Sequence, residues 1–203
     1  MHLNPTRSEQ YPLRRRDVVA RLLAEREDLL VVAGLGAPAW DATAAGDHPL
    51  TFPLWGAMGG AAMIGLGLAL AQPRRRVLVV TGDGEMLMAL GAFATIALQA
   101  PRNLALVVLD NERYGETGMQ STHTAGPADL AAIAIGAGIP VAASVFDEAG
   151  LEEALPRIRA EPGPLIVNVK VRAEDLPLVL PPKDGAYLKG RFRAALLGPD
   201  AAV

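Results

Sequence analysis

With 203 residues, 51% of them hydrophobic, the chain has material for one domain with a large core, and at 4% aromatics that core must be aliphatic. A net charge of −3 offers no general field for nucleic acid, and the absence of cysteine excludes disulfides, thiolate metal sites and thiol nucleophiles. No signal pattern opens the chain and no apolar run free of breakers is long enough to span a bilayer, so a soluble, cytoplasmic protein without a membrane partner is the expectation.

In chain order, residues 1–13, with Pro5 and Pro12, read as an irregular N-terminal segment. Val18, Val19, Leu22 and Leu23 then mark one face of a helix between Arg14 and Glu27, and the Arg14–Arg16 run reads as its solvated start. LLVVAGLG is a short buried strand. The stretch APAWDATAAGDHPLTFPLWG is too broken for a long element and reads as a loop over the sheet edge. Trp55-Gly56-Ala57-Met58-Gly59-Gly60 leads into AAMIGLGLALAQ, a helix whose small residues permit close backbone approach.

RRRVLVVTGDG is a β-branched run ending in the turn Gly82-Asp83-Gly84. One helix is expected over MLMALGAFATIALQA, stopped by Pro101, and a second buried strand over NLALVVLDN, closed by Asp110-Asn111. This is a βαβ unit with polar groups at the carboxyl end of both strands, the edge where open parallel sheets bind ligands. Gly82 and Gly84 let the backbone approach a ligand, and the following helix start favours phosphate. Asp83 and Asn111 supply hard oxygen donors, which suit Mg²⁺ or Ca²⁺. The natural reading is a diphosphate held through a divalent ion; a nucleotide held on the same edge without chemistry is the alternative.

Beyond Asn111, ERYGETGMQSTHTAG is a polar, glycine-rich loop leaving the ligand edge, the character of a substrate-facing lid. His123 in this loop is the histidine placed near the presumed chemistry and so the candidate catalytic side chain; a surface histidine fits the same loop. PADLAAIAIGAG is a helix, IPVAASVF a strand, DEAGLEEALPRIRAE a helix despite Pro156, and GPLIVNVKV the last buried strand. Alternation of this kind predicts a doubly wound parallel α/β sheet with helices on both faces, in one domain over residues 14–172. Residues 173–203 read as a C-terminal arm.

Gly-Asp-Gly closing one strand, followed after a helix and a strand by Asp-Asn closing the next, resembles the cofactor motif of thiamine-diphosphate enzymes. The resemblance implies Mg²⁺ bound by Asp83, Asn111 and the backbone carbonyl of Arg113, with Gly82, Gly84, Glu85 and Tyr114 beside the cofactor. Glu85 is a departure, since a small residue is more usual there, and a carboxylate facing a diphosphate would repel it; the side chain is expected to point away. The Gly56–Gly60 segment resembles the family's pyrimidine-ring support. It implies Met58 as the wedge that bends the cofactor, with the Gly56 carbonyl accepting from the pyrimidine amino group. The family places its cofactor between a diphosphate-gripping and a pyrimidine-gripping domain, and this chain resembles only the former. It looks most like the β subunit of sulfopyruvate decarboxylase and its phosphonopyruvate relatives. The resemblance therefore implies a small 2-oxo acid substrate, self-association, and a pyrimidine-binding α subunit that supplies the activating glutamate. A carboligase or an oxidative 2-oxo acid enzyme using the same half-site stays open.

Overall fold

The computed structural model describes residues 6–202, and residues 1–5 of the N-terminal segment lie outside the described residues. In chain order the elements are α1 (Arg15–Leu23), β1 (Leu30–Ala33), α2 (Ala37–Ala44), β2 (Thr51–Pro53), α3 (Ala61–Ala71) and β3 (Val77–Gly82). There follow α4 (Asp83–Met88), α5 (Gly91–Gln99), β4 (Leu104–Asp110), β5 (Arg113–Tyr114), β6 (Gln120–Ser121), α6 (Leu130–Gly136), β7 (Val141–Val145), α7 (Glu148–Ala160), β8 (Leu165–Lys170) and α8 (Gly185–Leu197). Six strands form one parallel sheet in the order β2-β1-β3-β4-β8-β7, and β5 and β6 form a small antiparallel ribbon.

The strands read as continuous apolar runs because both faces of the sheet are covered. Side-chain alternation divides them into two cores. Val31, Ala33, Leu78, Val80, Ala105 and Val107 face α1, α2 and α7. Leu30, Val32, Val77, Val79, Leu104 and Leu106 face α3, α5, α6 and α8. α3 lies so close to the sheet that a Cβ on Gly65 would come within 2.1 Å of Val79 Cγ2, the physical reason for the small residues in AAMIGLGLAL. α2 covers one face and α3 the other, so the chain changes direction between β1 and β3. That crevice is where a doubly wound sheet opens a site.

Several expectations are corrected. APAWDATAAGDHPLTFPLWG is not one loop: it contains α2, with Pro38 in its first turn where a missing N–H is harmless, and the edge strand β2. The single helix after Gly84 is two, α4 and α5, separated at Ala89-Leu90. Arg14–Arg16 is not a solvated helix start. Arg15 is buried and pairs with Asp41, Arg16 Nε reaches the same carboxylate at 3.0 Å, and Arg14 pairs with Glu174. The described part of segment 1–13 is packed, with a 3₁₀ turn at Arg7–Gln10 and Leu13 buried. The C-terminal arm, read as packed on the domain or reaching a partner, contacts the domain in this structure, with the Phe192 ring tilted against Phe52 at 5.7 Å and Trp55 Nε1 donating to the Pro182 carbonyl at 2.7 Å.

Candidate cofactor site

A cavity of about 240 Å³ opens at the carboxyl ends of the strands. Its wall is built by the β1–α2 turn (Leu35, Ala37, Pro38), the β3–α4 turn (Gly82 to Glu85) and the segment after β4 (Asn111 to Thr117), with Met58 beside them. Of the residues expected at the site, Met58, Gly82, Asp83, Gly84, Glu85, Asn111, Arg113 and Tyr114 line this one cavity. Two expected residues do not. Gly56 and His123 are both exposed and outside the lining.

Asp83 starts α4 and is buried. Thr122 Oγ1 donates to its Oδ2 at 2.6 Å. Thr124 Oγ1 lies 2.7 Å from Asp110 Oδ1 and 3.2 Å from Asp83 Oδ2; having one proton, it donates to one carboxylate at a time, and the shorter contact is to Asp110. Burial pushes the Asp83 carboxyl up to about 7, and the Asp110 charge adds to this against the two threonine hydrogen bonds. The threonines were not legible as site residues, although Thr122, His123 and Thr124 run buried, exposed, buried, an alternation the stretch STHTA carries in outline.

The turn after β4 is shaped by its own side chains. Asp110 Oδ1 accepts from the Glu112 N–H at 3.1 Å and Asn111 Oδ1 from the Arg113 N–H at 2.9 Å. Glu112 is fully buried with φ +61. Burial opposes its charge, but hydrogen bonds from Arg7, Lys170 and Tyr11 outweigh it and hold the carboxyl below the ordinary range. Lys170, at the end of β8, reaches Asp110 Oδ2 at 2.8 Å and Glu112 Oε1 at 2.9 Å.

Glu85 is occupied by the protein itself. Its Oε2 accepts from the Leu35 N–H at 3.2 Å and from Thr81 Oγ1 at 2.8 Å, and its Oε1 accepts from the Gly59 and Ala61 N–H groups at 3.2 and 3.3 Å. A Cβ on Gly34 would fall 2.0 Å from Glu85 Oε2, so the glycine makes room for this carboxylate. Met58 is 40% exposed at the cavity mouth, next to Ala57 at φ +57, which excludes an ordinary core role.

A family model described as the C-terminal TPP binding domain of thiamine pyrophosphate enzymes matches residues 37–169. The chain belongs to that family. Among relatives, it is 41% identical over 169 residues to the sulfopyruvate decarboxylase subunit beta of Methanothermobacter thermautotrophicus, covering 82% of this chain and 88% of that one. The phosphonopyruvate decarboxylase of Streptomyces viridochromogenes is 38% identical over 204 residues, 100% of this chain but 51% of its own length. Among solved structures, an enzyme of Mycobacterium smegmatis described as thiamin diphosphate-dependent superposes with TM-score 0.68 at 25% identity, over 80% of this chain and 32% of that one.

Thiamine pyrophosphate is thus the cofactor of the family, and the cavity can be tested against it. Among the described residues no three His, Cys, Asp or Glu side chains are arranged for a metal. Asp83, Asn111 and Arg113 do line one cavity, and their carboxylate, amide and backbone carbonyl would make a mixed, wholly oxygen donor set. That chemistry fits Mg²⁺, which keeps few protein ligands beside phosphate oxygens. The buried Asp83 carboxylate, which has Asp110 as its charged neighbour, fits it too, and a Cβ on Gly82 would meet nothing within 4 Å, leaving room for a diphosphate.

Proposed function

We propose that this chain is the diphosphate-binding subunit of a thiamine-diphosphate-dependent 2-oxo acid decarboxylase of the sulfopyruvate or phosphonopyruvate type, completed by a separate pyrimidine-binding subunit. The observation that carries this reading is one cavity lined by Asp83, Asn111, Arg113 and Met58. The division into subunits is supported by the names of two relatives, of which the chain spans 88% and 98%: both are called beta subunits.

In this proposal Asp83, Asn111 and the Arg113 carbonyl hold Mg²⁺ and through it the diphosphate. The bound cofactor supplies an electron sink for the carbon that loses CO₂. The residues of this chain position and exclude. Met58, unbranched and adaptable, supports the cofactor from the cavity mouth. Thr122 and Thr124 orient Asp83 so that an oxygen faces the metal. Arg113 lines the cavity and is the cation assigned in this proposal to the second anionic group, such as sulfonate or phosphonate, of a small 2-oxo acid; Arg15 on the same wall is already paired with Asp41.

Glu85 and Glu112 are both committed to protein donors, and Glu116 lines the cavity on the same turn after β4 that carries Asn111 and Arg113; the proposal assigns the activating glutamate to the partner. His123, exposed outside the cavity, is not carried into this mechanism. A cytoplasmic place of action belongs to the same proposal.

The test is a screen of 2-oxo acids with the chain alone and with its pyrimidine-binding partner, read by CO₂ release. Turnover is expected only with both subunits, and best on a doubly anionic acid. Preference for pyruvate or a branched apolar acid removes the anionic-substrate reading, and full turnover by the isolated chain removes the two-subunit reading.

A further inference from the structure

The family match begins at residue 37, yet the segment Arg7–Leu13 reaches Glu112, between the cavity-lining residues Asn111 and Arg113. The segment is firmly seated. The Ala173 N–H donates to the Ser8 carbonyl at 2.9 Å, the Arg172 N–H to the Leu13 carbonyl at 2.8 Å, and Arg172 Nε to the Tyr11 carbonyl at 3.0 Å. Ser8 and Leu13 are buried. From this seat Arg7 pairs with both oxygens of Glu112 and donates to the Thr124 carbonyl at 3.1 Å, while the Tyr11 hydroxyl donates to Glu112 Oε1 at 2.8 Å.

Glu112 stands between the two expected ligands Asn111 and Arg113. A buried glutamate with positive φ persists only where its surroundings hold it. Arg7 and Tyr11 hold it from the N-terminal side and Lys170 from β8. Lys170 also pairs with Asp110, whose Oδ1 accepts from the Glu112 N–H and faces Thr124, the neighbour of Asp83. Two cations, Arg7 and Lys170, thus face two buried carboxylates, Asp110 and Glu112. Removing Arg7 would leave one buried negative charge without compensation.

We infer that the Arg7–Leu13 segment is a clasp on the turn after β4, in which Arg7 and Tyr11 are positioning residues that keep Asn111 and the Arg113 carbonyl in metal-binding geometry. The inference rests on the cofactor reading above. Arg7 and Tyr11 do not line the cavity, so they act through Glu112 and not on a ligand.

The full-length chain with Arg7→Met tests it. The side chain of Arg7 is 42% exposed, so this variant is expected to fold. Hydrogen exchange of the Glu112, Arg113 and Thr122 amides is expected to quicken about tenfold while β3 and β4 amides keep their protection, and Mg²⁺-dependent binding of thiamine diphosphate is expected to weaken about tenfold, the size typical of groups that orient metal ligands. Arg7→Lys should recover most of both, and Arg14→Met, which removes the exposed Glu174 pair nearby, should change neither. Unchanged exchange in Arg7→Met overturns the clasp. Faster exchange with unchanged cofactor affinity overturns the positioning role. If the wild-type chain, with its partner, binds no thiamine diphosphate, the cofactor reading falls while the exchange measurement still decides whether the segment holds the turn.

Discussion

Glu85 Oε1 accepts the Gly59 N–H at 3.2 Å, tying the turn after β3 to the segment that carries Met58. A carboxylate that the motif leaves unexplained is thereby a brace between the β3–α4 turn and the Met58 segment of the cavity. Glu85→Ala leaves the Leu35, Gly59 and Ala61 N–H groups without this acceptor in a buried place. Chemical denaturation is expected to show a loss of about 3 kcal/mol, an unsatisfied buried donor being worth roughly 1–3 kcal/mol each and partial relaxation offsetting the sum.

Asp83→Ala is expected to abolish Mg²⁺-dependent binding of thiamine diphosphate, measured by calorimetry on the chain with its partner. The metal-free variant should be no less stable than the wild type, because a buried carboxylate facing Asp110 is being removed. Chelation of Mg²⁺ should reproduce the binding defect in the wild-type protein. Unchanged cofactor binding would refute the metal assignment.

Thr124→Val removes the hydroxyl that stands between the Asp83 and Asp110 carboxylates. A stability loss of about 1.5–3 kcal/mol is expected, the usual value for a lost hydrogen bond to a charged group. Cofactor affinity should fall with it, since Asp83 loses part of its orientation. A Thr122→Val variant should act in the same direction through the 2.6 Å contact.

Met58→Ala separates function from folding. The side chain is 40% exposed, so the unfolding midpoint should move by no more than about 0.5 kcal/mol equivalent, as for an ordinary surface change. Turnover of the assembled enzyme should fall well below wild type while metal affinity is retained. A loss of stability with normal turnover would contradict the wedge role.

Met63 and Ile64 on α3 are 41% and 36% exposed near Trp55 and Met58, an apolar surface suited to a second chain. Ile64→Asp is expected to weaken association with the pyrimidine-binding partner, or with a second copy, without unfolding the chain. Sedimentation of the mixed subunits measures this.

The local features of the sequence determined the parts of the protein that depend on local physics. β-branched runs such as VLVV and LALVV read as buried strands, and the GDG and DN turns marked the edge at which the cavity opens, lined by Asp83 and Asn111. Where a helix carried a proline in its first turn, as in α2, the same local rules misread it, because Pro38 is harmless at that position but looks like a breaker in one dimension. Tertiary structure alone decided which charges are buried and what they meet. Arg15 looked solvated until Asp41 was brought to it, and Glu85 looked repulsive until three backbone N–H groups and Thr81 were packed around it. The Arg7–Glu112 pair joins residues 105 positions apart, a relationship no local window contains. Periodicity and turn chemistry are properties of neighbours in the chain, whereas the partner of a buried charge is set by which distant segment the folded sheet places beside it.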